Sequence, residues 1–155
     1  MGEQLCTFYA NHFDVEVVVL RPFNVFGSGQ DPRFLIPSII SQAKVSSEIR
    51  VLDSRPSRDY IFVDDLVDAV VKAMSADVKF DIFNIGTGIS HSVSDLINLL
   101  GDIVGQEFRI TSLSQERFGE INSTRADISK AQRVLNWYPN WELKAGLERV
   151  WKESI

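Results

Sequence analysis

Along this chain, stretches with apolar residues at helical spacing alternate with short continuous apolar runs. Leu5, Phe8, Tyr9, His12 and Phe13 recur at helical spacing. No side chain before Glu3 is placed to cap that helix, so its start is expected upstream. Val15 to Leu20 is nearly continuous in β-branched residues, the pattern of a parallel strand covered on both faces. A loop rich in Gly and Pro is expected over 21–32, then a short helix over 34–43 with Pro37 near its first turn. Ile49 to Leu52 and Tyr60 to Val63 read as strands on either side of the turn Ser54-Arg55-Pro56-Ser57. From Asp64 to Met74, the residues Leu66, Val67, Val70, Val71 and Met74 mark one helical face. Asp64 is expected to cap this helix, with Asp65 in the first turn facing its dipole.

The second half repeats the alternation. Phe80 to Ile85 reads as a buried strand, followed by the turn Gly86-Thr87-Gly88. Ser92 and Asp95 have the spacing of a capping box, and Val93, Leu96, Ile97 and Leu100 supply the stripe of the helix behind it. Phe108 to Thr111 is expected as a further short strand, and 112–125 as an irregular polar loop of a length that often binds something. Asp127 is placed to cap a helix through Leu135, ended by Asn136 in a left-handed conformation with Pro139 beyond it. A last helix from Leu143 to about Glu153 presents Leu147, Val150 and Trp151, with Gly146 costing it about 1 kcal/mol relative to Ala. No repeat or linker interrupts the pattern, which predicts one α/β unit over 1–155.

Composition narrows the class. With 155 residues, 45% hydrophobic and 24% charged, the chain is globular rather than disordered. Its 16 Lys and Arg against 21 Asp and Glu give a net charge of −5, which argues against nucleic acid as a partner. There is no run of about 18 apolar residues to span a bilayer and no signal-peptide order at the start, so a cytoplasmic protein is expected. Cys6 is alone and reads as a small core residue; His12 and His91 have no metal-ligand spacing, so no metal is expected. His91, between two serines, reads as a solvated loop residue. No G-x-G-x-x-G, Walker loop, H-E-x-x-H or G-x-S-x-G is present.

Four segments are more specific than composition. They are Leu20-Arg21-Pro22-Phe23-Asn24-Val25-Phe26-Gly27; Arg58-Asp59-Tyr60-Ile61-Phe62-Val63-Asp64-Asp65; Phe83-Asn84-Ile85-Gly86-Thr87-Gly88 with Ser92-Val93; and Arg117-Phe118-Gly119-Glu120 with Arg125-Ala126-Asp127, closed by Leu135-Asn136-Trp137-Tyr138-Pro139. In order and spacing they resemble the C-terminal half of the NAD-dependent epimerases and dehydratases of nucleotide sugars, the extended short-chain dehydrogenase/reductase family typified by UDP-glucose 4-epimerase. The resemblance covers essentially the whole chain. Phe118 stands where that family often has proline, and Asn136 where it often has glycine.

The resemblance implies the C-terminal part of a Rossmann-like α/β fold: two strands of the parallel sheet, around 15–20 and 80–85, plus the small substrate-binding lobe. It implies that the NAD-binding half, with its glycine loop and its Tyr-x-x-x-Lys pair, is absent. The fourth residue after Tyr9 is Phe13, after Tyr60 Asp64 and after Tyr138 Glu142, so no catalytic residue is assigned. By resemblance, Asn24, Arg58 and Arg117 contact the diphosphate of a nucleotide sugar, Glu120 the ribose, and Leu35, Val51 and Leu52 the base and nearby ribose. Pro22 and Phe23 would lie beside the nicotinamide of NAD. The residue types suit these tasks, because guanidinium forks match phosphate geometry. Plainer roles stay open: an Arg58–Asp59 salt bridge, a turn role for Asn24, a solvated Arg117–Glu120 pair, and ordinary core for Leu35, Val51 and Leu52. The implied function is a nucleotide-sugar-binding half, UDP-sugar first, not catalytic alone and without bound NAD. The alternatives are a GDP-keto-sugar reductase class, suggested by the short connection from Leu52 to Arg58, and a non-catalytic assembly element that forms homo-oligomers or completes a split enzyme.

Overall fold

The computed structural model describes residues 2–113, 119 and 121–154. Six helices and eight strands follow one another as α1 (Gly2–His12), β1 (Val17–Pro22), β2 (Asn24–Phe26), α2 (Leu35–Ala43), β3 (Glu48–Val51), β4 (Ser57–Arg58), β5 (Tyr60–Phe62), α3 (Val63–Met74), β6 (Phe80–Ile85), β7 (His91–Ser92), α4 (Val93–Val104), β8 (Arg109–Ser112), α5 (Ser129–Leu135) and α6 (Leu143–Glu153) among the described residues. The two apolar runs pair as expected: β1 lies parallel to β6, from Val17 opposite Phe80 to Pro22 opposite Ile85. Two further pairs are also parallel, β2 with β5 and β3 with β8, whereas β4 and β7 pair antiparallel.

All three residues of β5 are buried because the strand divides two cores. Tyr60 and Phe62 join Phe26, Ile36, Ile39, Ile49, Leu96, Leu100 and Leu147 under α2, α4 and α6. Ile61, pointing the other way, joins Phe83, Ile85, Ala131, Leu135 and Trp137 beneath α3 and α5. Gly146 of α6 fits the first core closely: a Cβ there would stand 2.7 Å from Phe26 Cζ and 3.0 Å from Phe62 Cδ2. The conformational cost of glycine therefore secures close helix packing.

Several expectations need correcting. The loop expected over 21–32 contains β2, three residues long and paired with β5. Phe62, not Asp64, holds the N-cap position of α3 and makes no side-chain cap bond; Asp64 instead pairs with Arg149 at 2.8 Å. On α3 the deeply buried positions are Asp65, Ala69 and Ala73, while Val67, Val70, Val71 and Met74 are exposed and Leu66 only partly buried. Small residues let the helix backbone approach β1 and β5, which turns the larger stripe outward. Asp65 does more than face a dipole. Its Oδ1 accepts from Asn140 N at 2.8 Å, its Oδ2 from Trp141 N at 3.1 Å, and its carbonyl from Trp137 Nε1 at 3.2 Å. Residues 17–20 of β1 are half-buried rather than covered on both faces, Cys6 is half-buried rather than core, and Asp127 reaches Ser129 N at 3.0 Å while Ile128 occupies the N-cap of α5.

The capping box is present: Asp95 N donates to Ser92 Oγ at 3.0 Å and Ser92 N to Asp95 Oδ2 at 2.8 Å. We expect Ser92→Ala to cost about 1 kcal/mol. Hydrogen bonds from Ser92 hold the Asp95 carboxyl below its ordinary range. A carboxyl depressed in the folded state stabilises the fold above its unfolded pKa, and that contribution is lost as pH falls through the folded value. Urea midpoints of the wild type and Asp95→Asn should therefore differ near pH 6 and converge toward pH 3.

Candidate functional site

The β2–β5 pair, the end of β3, the start of α2 and the turn leading into β4 enclose a cavity of about 820 Å³. Its apolar wall includes Phe23, Phe34, Leu35, Val51 and Leu52, and its polar wall Asn24, Gln30, Arg33, Arg50, Asp53, Arg58 and Tyr60. Asn24, Leu35, Val51, Leu52, Arg58 and Phe23, picked out from sequence over a span of 36 residues, therefore meet in one place. Pro22 is exposed at the end of β1 and does not line the cavity. Arg117 and Glu120 lie outside the described residues.

Local structure fixes the polar groups. Asn24 opens β2, and both its backbone N and its Nδ2 donate to the Asp59 carbonyl, at 3.0 and 3.1 Å. Arg58 ends β4 opposite His91 of β7, which is thus a half-buried strand residue rather than a solvated loop one. The Arg58 Nη1 donates to the carbonyls of Ser57 at 2.9 Å and Ile121 at 2.7 Å, so the guanidinium is braced by backbone on two sides. In the turn before β4, Asp53 receives the backbone N, Nε and Nη2 of Arg55 at 3.0, 3.0 and 2.8 Å. Those bonds bring its carboxyl down to about 2, which keeps it ionised and the turn closed at neutral pH. Tyr60 is buried, and desolvation pushes its phenol up to about 12, far from the range that suits a general base near neutrality.

For Asp59 the sequence leaves open a salt bridge to Arg58. Its fully buried carboxylate instead takes four donors: Thr87 N at 2.8 Å and Thr87 Oγ1 at 2.7 Å on Oδ1, with Gly88 N at 2.9 Å and Ala126 N at 3.1 Å on Oδ2. Gly86 is glycine for lack of room, since a Cβ there would stand 2.6 Å from Ala126 Cβ and 2.8 Å from Asp59 Oδ2. This arrangement bears on dinucleotide binding. The Gly86-Thr87-Gly88 turn follows a parallel strand, where a pyrophosphate cradle would be sought, but its N–H groups already serve an internal carboxylate. Pro22 and Phe23 can border a nicotinamide but offer no charge to hold one. These residues do not fit the task of holding NAD.

Sequence reading missed Arg33, Arg50 and Gln30 on the cavity wall. Arg50 is the outward position between buried Ile49 and Val51, and Arg33 pairs only locally with Asp31 at 2.8 Å, so both look like ordinary surface charge in sequence. Among the described residues Arg33, Arg50 and Arg58 line the cavity with the Asp53 carboxylate; Arg33 is paired with Asp31 and Arg50 with Glu48 at 3.3 Å, so Arg58 is the lining guanidinium best suited to an anionic ligand. Among the described residues no cluster of His, Cys, Asp and Glu is placed to hold a metal, and no helix is long and apolar enough to cross a membrane.

Known proteins share this architecture. A family model described as the NAD dependent epimerase/dehydratase family matches residues 1–86. The UDP-glucose 4-epimerase of Mycolicibacterium smegmatis is 32% identical over 153 residues, 96% of this chain and 49% of that protein. The GDP-6-deoxy-D-talose 4-dehydrogenase of Aggregatibacter actinomycetemcomitans is 32% identical over 142 residues, 90% of this chain and 48% of that one. The crystal structure of a UDP-glucuronic acid 4-epimerase from Bacillus cereus, in complex with UDP-glucuronic acid and NAD, superposes with a TM-score of 0.87 at 31% identity, covering 98% of this chain and 49% of its own. The chain thus spans about half the length of the relatives it matches.

Proposed function

This chain belongs to the NAD dependent epimerase/dehydratase family, and from that premise we propose that it is a nucleotide-sugar-binding half, gripping the diphosphate and base of a UDP-sugar. The observation that carries this reading is the gathering of Asn24, Leu35, Val51, Leu52 and Arg58 on the wall of one cavity. In this reading Arg58, braced by the Ser57 and Ile121 carbonyls, directs its guanidinium fork at the diphosphate, and Asn24 hydrogen-bonds the same group. Leu35, Val51 and Leu52 form the slot for base and ribose, and Arg117 and Glu120 complete the diphosphate and ribose contacts. Relatives whose structures hold UDP-sugars support the ligand class. The chain's own residues bind and orient; with Tyr60 and the glycine turn committed to structure, no proton or hydride step is assigned to them. The chain acts as one α/β unit in the cytoplasm.

A second reading, a GDP-sugar ligand, draws on the turn closed by Asp53 and Arg55 beside the cavity and on the likeness to a GDP-sugar dehydrogenase. Thermal shift with UDP, GDP and dTDP separates the two, since a ligand of the folded state raises its melting temperature by mass action. We expect the largest rise with UDP. A charge-assisted hydrogen bond contributes about 1.5–3 kcal/mol, so Arg58→Ala should weaken binding by about 10- to 100-fold. A larger rise with GDP moves the reading to the second class, and no rise with any diphosphate contradicts both.

A further inference from the structure

Tyr60 carries a hydroxyl that the fold does not use. Its ring lies in the core with Phe26, Ile36 and Phe62, and the residue is 6% exposed. Phenylalanine would fill that place equally well, as Phe62 does two residues on, so the packing gives no reason for a phenol. Among the described residues the hydroxyl has no hydrogen-bond partner. Asp68 Oδ2 is the one buried side-chain oxygen or nitrogen among them that lacks both a partner and contact with solvent, so the Tyr60 hydroxyl does reach solvent. The solvent it reaches is that of the cavity, whose wall Tyr60 forms with Asn24 and Arg58. A polar group on an otherwise buried side chain thus faces the space in which a ligand would sit.

We propose that the Tyr60 hydroxyl donates a hydrogen bond to a phosphate oxygen of the bound nucleotide, beside Arg58, and so holds the diphosphate against the β2–β5 wall. Chain geometry places it with that group. Successive residues of an extended strand point to opposite faces. Arg58 and Tyr60 both line the cavity, while Asp59 between them turns away to Thr87, Gly88 and Ala126. Asn24 stands opposite Tyr60 in the parallel register of β2 and β5. The Arg58 charge is near enough to act on the phenol, but burial outweighs it and keeps the group protonated at neutral pH. A protonated phenol is a donor, and a phosphate oxygen at neutral pH offers acceptors without a competing proton. A ligand that displaces cavity water from the hydroxyl must supply an acceptor in its place or lose affinity.

This inference rests on the nucleotide reading, and its test separates the two. UDP is titrated by calorimetry into the wild type, Arg58→Ala and Tyr60→Phe, the last of which removes one oxygen and leaves the ring in place; GDP replaces UDP if it binds the wild type more tightly. We expect Tyr60→Phe to weaken binding about tenfold. Its urea midpoint should equal or exceed that of the wild type, because no protein partner is lost. The phosphorus NMR resonances of the bound diphosphate should move between wild type and variant, and the base protons should not. Wild-type affinity in Tyr60→Phe, while Arg58→Ala binds weakly, overturns this proposal and leaves the nucleotide reading standing. So does a lowered urea midpoint, which would make the hydroxyl a structural group, or a change confined to base and ribose protons, which would give it another ligand atom. A wild type that binds neither diphosphate contradicts the nucleotide reading, and this proposal falls with it.

Discussion

Replacing Asp59 by alanine should destabilise the fold by about 3–5 kcal/mol, the larger of the two strongest effects expected for single substitutions here. The carboxylate satisfies Thr87 N, Thr87 Oγ1, Gly88 N and Ala126 N, and alanine would take this partner from three backbone N–H groups and leave Thr87 Oγ1 only the Ile89 carbonyl at 3.3 Å. Each buried unsatisfied group costs about 1–3 kcal/mol; relaxation of the turn and entry of water keep the total below the sum. Against a typical stability of about 5–15 kcal/mol the loss is large. Asp59→Asn should cost less, since one oxygen survives, but its amide must face a backbone N–H. Both substitutions should also weaken the response to UDP in the fraction that stays folded, because Asn24 is tied to the Asp59 carbonyl and Arg58 is its chain neighbour. Urea unfolding checks the first effect and calorimetry the second. An unchanged urea midpoint would contradict the buried-latch role.

Asp65→Ala is the second. It frees the N–H groups of Asn140 and Trp141 and loosens the approach to α6, for an expected loss of about 2–4 kcal/mol. Here the outcome should divide differently: Asp65 does not line the cavity, so the affinity of the folded fraction for UDP should stay at the wild-type value. Tryptophan fluorescence reports the transition, because Trp137 is fully buried beside Asp65 and donates to its carbonyl. Loss of stability together with loss of affinity would mean that the segment around Trp137 and Trp141 shapes the cavity after all.

These two aspartates also mark where sequence reading stops. Long periodic segments were legible: α4 with its capping box, α6, and the β1–β6 pair follow from spacing and from runs of β-branched residues. Much of the cavity wall was legible too, because Asn24 and Arg58 sit in motifs that resemble a known family and the resemblance extends to Leu35, Val51 and Leu52. For Asp59 the sequence leaves only a salt bridge to Arg58 open and for Asp65 it offers a helix dipole, both local roles, since their actual partners are 28 to 76 residues away in the chain. β2 was hidden inside a glycine- and proline-rich stretch because three residues are too few to show a period. On α3 the apolar stripe was located correctly, but periodicity does not tell which face meets the core. Ala69 and Ala73 win that contact by allowing closer approach.

Calorimetric titration of UDP into the purified chain and into Arg58→Ala, with uridine as the control lacking phosphate, tests the nucleotide-diphosphate assignment most directly. Saturable binding of UDP, weakened by about 10- to 100-fold in Arg58→Ala and absent or much weaker for uridine, is the predicted result. Binding of UDP that Arg58→Ala leaves unchanged, or no binding at all by a chain whose circular dichroism shows it folded, would contradict it.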